Sequence, residues 1–296
     1  MFRRLALACL GTLLCVSCTQ RTNFVDAAVA IDADIGDGGS DAGSDAGPPV
    51  DAGEDLSDVL IYAHSRDTLY TFSPFTNTVT EVGPFRLAGG GEADFMIDLA
   101  VDSEGEVFTS TDAELYAVDP LTAEVTLIGD LGLGGDELFA LSFLPPGQSP
   151  DGSELLIGAT NEGVIYSVNR ETAATTMLGM YPDGWRSSGD IVSVEDLGTF
   201  ATLRRDDFTS DVLAQILFSA DGTATVSVIG PTRSPTEDFR ELFGLGYWGR
   251  NVYGFTNSGQ LLRIDRMSGA AEVVSTATGS DQFWGAGVTT TVPFLI

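Results

Sequence analysis

From Asp58 onward the chain repeats one short pattern five times, and this repetition limits the folds that it can adopt. Each copy contains two runs of alternating apolar and polar residues, separated by a turn that opens with Ser, Asp or Asn. Such alternation predicts an antiparallel hairpin with one buried face. The hairpin segments end 45 to 51 residues apart, at Gly83, Gly129, Gly179, Gly230 and Ser275. The chain is therefore built from repeated units of similar size.

Two further apolar segments precede each hairpin. The one directly before it is a short strand such as Val59–His64 or Asn251–Phe255. Ahead of that strand lies a candidate inner strand, which often carries small residues at alternate positions, as Gly244 and Gly246 do, and a crowded central axis requires small residues. The inner candidates are 97–101, 138–143, 191–194, 242–247 and 283–288. Four strands in about 45–50 residues match one blade of a propeller.

The hairpin follows a Leu-Tyr-x-Val-Asp-Pro-x-Thr pattern that is complete at 115–122. With this pattern, segment 56–296 resembles the β-propellers of secreted bacterial proteins. The predicted fold class is all-β: a five-bladed β-propeller with four-stranded antiparallel blades. Neither a Trp-Asp dipeptide nor a Kelch double glycine recurs, so the resemblance implies neither of those subfamilies. A β-sandwich or an open meander is the alternative architecture, and the regular spacing disfavours it.

The strand count is uneven at the two ends of the repeat. The first unit lacks an inner strand, whereas the chain ends with an inner strand that no hairpin follows. We expect the C-terminal strand, within 283–291, to join the N-terminal blade that begins at Val59. This pairing would close the ring and remove exposed sheet edges.

The chain begins with the features of an export signal. Arg3 and Arg4 precede a short apolar run, 5–14, which is too short to span a membrane. The sequence Cys-Val-Ser-Cys that follows, ending at Cys18, resembles the lipobox of bacterial lipoproteins. In that family, signal peptidase cleaves before a cysteine that carries diacylglycerol.

The lipobox resemblance implies a signal peptide over 1–17 and a lipoprotein anchored to a membrane by lipid, including palmitate, on Cys18. It also implies an extracytoplasmic location in the cell envelope. Thr19 stands where inner-membrane lipoproteins often have Asp, so the expected place is the outer membrane or the cell surface. An ordinary secreted protein, cut at an A-x-A-like site, is the alternative.

Residues 18–55 differ in composition from the repeat. Asp-Ala-Gly recurs there at 41–43, 45–47 and 51–53, and large apolar side chains are nearly absent. Like charges without a core predict a disordered tether. A calcium loop starting at Asp32 is the alternative, but Gly36 stands where a ligand is needed.

Charge and composition exclude several classes of protein. The chain has 14 basic residues, all Arg, and 43 acidic residues, for a net charge of −29. This acidity argues against nucleic acid or an anionic lipid surface as a partner, because both would repel it. The absence of lysine excludes Schiff-base catalysis, and one His with 3 Cys excludes a zinc site built on several such ligands. A monomer without a cofactor is expected.

Polar residues at the start of the inner strands form the candidate binding site. In propellers the loops that enter these strands converge on the central channel, where ligands commonly bind. Converging carboxylates could hold Ca²⁺. Alternatively, two of Glu137, Asp190 and Glu241 could serve as acid and base. A third interpretation is that all of them are solvated charges at the rim. The candidate binding residues are Asp98, Glu137, Asp190, Glu241, Gln282 and Trp284.

The remaining candidates have structural explanations. His64 is expected to be a structural imidazole on the surface or at a blade edge, rather than a catalytic group. Trp185, Trp248 and Trp284 are assigned to packing, with stacking on a sugar as the alternative, for which Trp284 is the candidate. Tyrosines recur at one position of the repeat and are assigned to packing between blades, at Tyr70, Tyr116 and Tyr166.

The favoured function is a non-enzymatic scaffold that binds a protein or another ligand through loops on a rigid ring. The alternative is a carbohydrate-active propeller, either glycan-binding or glycoside-hydrolysing, that uses carboxylates at the channel mouth.

Overall fold

The computed structural model describes residues 56–293, which form 21 strands in five sheets. These residues include no helix, and so none that is long and apolar enough to cross a membrane. The architecture is the predicted five-bladed β-propeller with four antiparallel strands in each blade.

Each blade runs from an inner strand at the axis to an outer strand at the rim. Blade 1 orders its strands as β21 (Gly285–Gly287), β1 (Ile61–His64), β2 (Thr68–Ser73) and β3 (Thr78–Pro84). Blade 2 contains β5 (Asp98–Val101), β6 (Val107–Ser110), β7 (Glu114–Val118) and β8 (Glu124–Asp130). Blade 3 contains β9 (Leu138–Leu144), β10 (Leu155–Thr160), β11 (Val164–Val168) and β12 (Thr175–Met180).

The last two blades follow the same order. Blade 4 contains β13 (Arg186–Val194), β14 (Gly198–Arg204), β15 (Val212–Phe218) and β16 (Ala224–Pro231). Blade 5 contains β17 (Leu242–Trp248), β18 (Asn251–Thr256), β19 (Leu261–Asp265) and β20 (Ala271–Ser275). The five hairpins predicted from the repeat are the two outer strands of the five blades.

The C-terminal strand closes the ring as expected. β21 pairs antiparallel with β1, and the register places Ala286 opposite Ala63. Phe72 of blade 1 packs against Tyr253 and Phe255 of blade 5, with ring centroids 5.3 and 6.0 Å apart. The inner strands contact one another in the order β21, β5, β9, β13, β17 and back to β21. The first and last blades are therefore neighbours.

Close packing at the axis explains the small residues of the inner strands. A methyl group built on Gly244 would lie 2.7 Å from the Cβ of Ala286, and one on Gly246 would lie 2.6 Å from Ile61. Both distances are shorter than carbon atoms tolerate. The glycines thus let blade 5 approach blade 1.

Two details of the sheets differ from the sequence prediction. β13 begins at Arg186 rather than at 191, and its register with β14 shifts between Ser187 and Ile191. The first residues of β13 are mostly polar, so they lack the apolar–polar alternation that predicts a strand. A short extra strand, β4 (Arg86–Leu87), runs parallel to β8 at the rim of blade 2. The predicted signal peptide 1–17, the lipid site Cys18 and the tether 18–55 lie outside the described residues.

The tight packing of β21 at the propeller axis can be tested by substituting Gly285. Gly285→Ala should lower the free energy of unfolding by about 1–3 kcal/mol, because the added methyl group overpacks the axis. It would lie 2.2 Å from Asp98 Oδ1 and 2.4 Å from His64 Nε2. Gly147→Ala is the matched control, since its methyl group would meet nothing within 4 Å. Denaturant unfolding measures both variants, and equal stability of the two would contradict this account of closure.

Candidate functional site

Two buried carboxyl groups lie at the propeller axis, at the beginning of β5 and within β13. Asp98 Oδ1 accepts a hydrogen bond from the amide of Leu99 at 2.8 Å, and Oδ2 accepts one from Leu141 at 2.6 Å. Asp190 repeats this arrangement with Ile191 at 2.5 Å and Leu245 at 2.6 Å. Each aspartate therefore binds an amide of its own strand and an amide of the next blade.

The two amides that donate across blade boundaries occupy equivalent positions in a repeated sequence motif. Leu141 and Leu245 end two copies of Glu-Leu-Phe-x-Leu, at 137–141 and 241–245. An inner strand has no sheet neighbour on its channel side, so its amides there need other acceptors. Blades 2 and 4 supply aspartates to these amides in blades 3 and 5. The acids are part of the packed axis rather than solvated charges at the rim.

Burial and proximity set the protonation of this axial pair. Burial raises the pKa of Asp98 well above its usual range, and the charge of Asp190 and a hydrogen bond with it raise the pKa further. Burial also raises the pKa of Asp190, whereas hydrogen bonds from Leu245 and Asp98 lower it. The pKa values of both groups are therefore raised, and the pair holds a proton that a single exposed aspartate would have lost.

His64 faces the same axis, so the expected position on the surface or at a blade edge is wrong. The imidazole is fully buried, and its Nδ1 lies 2.6 Å from the carbonyl oxygen of Ser65. Burial lowers the pKa of His64 to about 4. The neutral ring therefore donates from Nδ1, and Nε2 faces Asp98 across Gly285. The burial arises because β1 is covered by β21, a strand more than 200 residues away in the chain.

A cavity of about 300 Å³ opens above the axis, on the face where the inner strands begin. We call it the mouth cavity. Ile97 and Trp284, two of its lining residues, directly precede Asp98 and Gly285 in the chain. Loops of blades 1, 2 and 3 contribute the other walls. The lining residues are Arg66, Asp94, Phe95, Met96, Ile97, Asp112, Glu137, Phe139 and Trp284.

Aromatic rings and a guanidinium group order one wall of the mouth cavity. The Arg66 guanidinium carbon lies 4.2 Å from the centre of the Phe95 ring and 4.7 Å from that of Trp284. The indole Nε1 of Trp284 donates to Gln282 Oε1 at 2.8 Å, which fixes the plane of the indole. Phe243 of blade 5 packs against the Trp284 ring, with ring centroids 5.9 Å apart.

The structure thus divides the candidate binding residues among three places. Glu137 and Trp284 line the mouth cavity, where Gln282 holds the Trp284 indole from an adjoining cavity, and Asp98 and Asp190 form the axial pair beneath it. Glu241 lines a different cavity, between blades 4 and 5. The three acids considered for catalysis, Glu137, Asp190 and Glu241, consequently do not line one common cavity of the described residues.

The mouth-cavity residues that the sequence analysis missed include Arg66, Phe95 and Phe139. Phe139 could have been found, because it recurs as Phe243 in the two copies of Glu-Leu-Phe-x-Leu. Arg66 and Phe95 lie in loops that the repeat does not share, so no pattern marks them. Their convergence depends on blade geometry alone.

Calcium was expected, if anywhere, among converging acids at the mouth. Within residues 56–293, the group of carboxylates close enough to hold an ion is Asp102, Glu104 and Glu106, whose oxygens lie within 4.8 Å of one another. This turn joins β5 to β6, at the opposite end of the inner strand. Asp102 already accepts two amides through Oδ1 and pairs with Arg170 at 2.7 Å through Oδ2.

Packing accounts for most of the other aromatic candidates. Trp185 is buried, as predicted, and it stacks against Phe208 with ring centroids 5.3 Å apart. Trp248 is half-buried, and its indole donates to the carbonyl of Leu56 at 3.0 Å. The recurring tyrosines Tyr70 and Tyr116 are buried in the core.

Comparisons with known proteins add little to this description. No protein-family model and no curated protein matches the chain. Among solved structures it is similar to U3-55K, with 10% identity and a TM-score of 0.42 over 73% of this chain and 60% of that one. A Bacteroides caccae protein of unknown function has 13% identity and a TM-score of 0.38, over 73% and 72% of the two chains. BamB from Moraxella catarrhalis has 14% identity and a TM-score of 0.34, over 71% and 70%. Similarity this distant carries no functional argument.

The axial pair predicts an unusual dependence of stability on pH. Because the folded pKa of Asp98 is raised, the folded protein keeps a proton that the unfolded chain releases above about pH 4. The contribution of Asp98 to the free energy of unfolding is therefore full below about pH 4. It falls as pH rises through the folded pKa, by at most about 1.4 kcal/mol per pH unit.

Asp98→Asn should flatten this fall, because its amide group does not titrate in this range. Thermal unfolding of the variant and the parent between about pH 4 and pH 8 measures the difference. Asp281→Asn removes the same charge at an exposed position and should preserve the slope of the parent. Identical slopes for all three proteins would show that the axial pair does not hold the proton.

Proposed function

We propose that this protein is a non-enzymatic binding scaffold that captures a cationic group of a partner protein at the mouth cavity. The observation that supports this proposal most strongly is the set of charged and aromatic residues that line the cavity. Three carboxylates, Asp94, Asp112 and Glu137, line it with one guanidinium, Arg66, so the lining has a net negative charge. Aromatic faces and carboxylates together attract organic cations, because the ring quadrupole and the charge act in the same direction.

The position of Arg66 supports this choice of ligand. Its guanidinium lies over Phe95 and Trp284, so the rings of this wall bind a guanidinium group, and Arg66 itself occupies these two faces. Glu137 and Phe139 line the same cavity from blade 3. A lysine or arginine of a partner would reach them from the open side of the mouth.

The charge of the whole chain supports the same partner. A net charge of −29 attracts a basic surface and accelerates its encounter with the ring. A closed propeller also holds its loops in place, so a ligand pays little to order them.

The proposal includes the membrane anchor. Cleavage before Cys18 and lipidation of its thiol would display the propeller in the cell envelope, extracytoplasmic and at the outer membrane or the cell surface. The supporting observation is the Cys-Val-Ser-Cys sequence after an apolar run of signal-peptide length. Residues 18–55 would then separate the ring from the membrane.

A glycan-binding propeller is the second candidate, because the Trp284 indole lies in one cavity with Asp94, Asp112 and Glu137. An indole face can stack on a sugar while carboxylates accept its hydroxyl groups. Hydrolysis would have to use acids of this cavity, since Asp190 is buried beneath it and Glu241 lies elsewhere.

The cation site is tested with a labelled Gly-Arg-Gly-Arg-Gly peptide, titrated into the full chain and followed by fluorescence anisotropy at about 0.15 M salt, where long-range attraction is screened. Phe139→Ala should weaken binding about fivefold or more, because it removes an aromatic wall of the cavity without changing the charge. Glu137→Gln should also weaken it.

Glu195→Gln is the matched control for charge. It removes one exposed acid at the opposite end of the inner strands and should leave the affinity unchanged. If all three variants bind the peptide as the parent does, the attraction is non-specific and the mouth is not the site.

The anchor is tested in a bacterial host grown with radiolabelled palmitate. The full chain should incorporate the label and partition into the membrane fraction, whereas Cys18→Ser should do neither. Equal labelling of the two proteins, or no labelling of the parent, would contradict lipidation at Cys18.

A further inference from the structure

A second cavity, of about 310 Å³, lies on the same face between blades 4 and 5. We call it the arginine cavity. Four of the 14 arginines of this acidic chain line it, although acids outnumber bases three to one overall. The charged lining residues are Arg186, Arg204, Arg205, Arg240, Asp206, Asp211 and Glu241.

Two of these arginines are neutralised locally. Arg186 pairs with Asp206, and Arg205 pairs with Asp207 through Nε at 2.6 Å. Arg205 also lies over the Trp185 ring, 4.2 Å from its centre. These groups form the rim of the cavity and leave little net charge for a ligand.

The other charged groups include a donor and an acceptor that are buried and unpaired. Nε of Arg204 and Oδ2 of Asp211 are both inaccessible to solvent, and neither has a hydrogen-bond partner among the residues that the structure describes. Asp211 as a whole is only 3% exposed. A buried polar atom without a partner costs about 1–3 kcal/mol, so both atoms favour a ligand that satisfies them.

The positive charge of Arg204 affects the protonation of Asp211. Burial raises the pKa of Asp211 to about 6, while Ser188, two backbone amides and the charge of Arg204 lower it. The two groups attract each other, yet they are too far apart for an ion pair within 4.0 Å. The acidic acceptor and the basic donor are therefore not joined by a direct ion pair.

The unpaired atoms restrict the chemistry of a ligand. A simple anion would satisfy Arg204 but would be repelled by Asp211, and a simple cation would have the opposite problem. A hydroxyl group donates and accepts at once, so neighbouring hydroxyl groups can satisfy both atoms without introducing charge. Phe208 adds an apolar wall that suits the C–H face of a sugar ring.

We propose that the arginine cavity is a saccharide-binding site in which the Asp211 and Arg204 side chains turn towards the ligand, so that Asp211 Oδ2 accepts from one hydroxyl group and Arg204 Nε donates to its neighbour. Glu241 is a third polar contact at the rim, where its Oε2 accepts from Asn257 Nδ2 at 3.3 Å. The cavity volume is at the lower end of the range for small ligands, which fits one or two sugar units. This site is independent of the cation site at the mouth cavity.

The test uses the full chain with glucose, galactose, mannose, N-acetylglucosamine and glycerol, each up to about 50 mM. Saturation-transfer NMR detects binding, and calorimetry gives the affinity. At least one saccharide should bind. Asp211→Asn, which keeps the shape of the side chain, and Arg204→Lys, which keeps the charge, should each weaken that saccharide about tenfold or more.

Inorganic phosphate and methylammonium are titrated in parallel, and circular dichroism verifies that each variant is folded. Trp284→Ala is the control at the mouth cavity and should bind the saccharide like the parent. Glu241→Gln should weaken binding and is the second variant if a substitution at Asp211 or Arg204 prevents folding. Failure of every saccharide to bind would overturn the proposal. So would binding that these variants leave intact, or a preference for phosphate or methylammonium at this cavity.

Discussion

The buried pair of Asp98 and Asp190 at the axis is the feature on which the rest of the ring depends. Inner strands of a propeller have no neighbour on their channel side, so their amides there need an acceptor within the protein. The two aspartates meet this need across blade boundaries, at Leu141 and Leu245. Two ionised carboxylates could not share so small a volume without water. Protonation of one removes the repulsion and supplies a hydrogen bond.

The axial pair also positions the face where ligands are proposed to bind. Ile97 and Trp284, one residue before Asp98 and Gly285, line the mouth cavity. In blade 4 the same inner strand that carries Asp190 begins at Arg186, in the lining of the arginine cavity. A rigid axis therefore fixes both cavities, and their chemistry is set by loops that differ from blade to blade.

The sequence predicted the blades well because their signal is repeated. The hairpin at 115–122, for example, has counterparts in every blade. The first unit lacks an inner strand and the chain has an extra one at its end, and this difference correctly located the ring closure within 283–291. Single residues were harder to place. His64 has no marker of burial in its own segment, because β21 covers it from the far end of the chain. Asp98 and Asp190 were expected near the channel, but whether they were solvated or shared a proton depends on distances across the axis, which sequence spacing does not contain.

Hydrogen exchange of the Leu141 and Leu245 amides tests the central claim most directly. If the axial carboxyl groups accept these two hydrogen bonds in a dry, closed ring, both amides should exchange only through global unfolding. Their opening free energy should then equal that of the most protected amides in β10 and β18. Exchange at a much lower free energy would mean that water reaches the axis, and it would contradict a ring held together by a buried, proton-sharing pair.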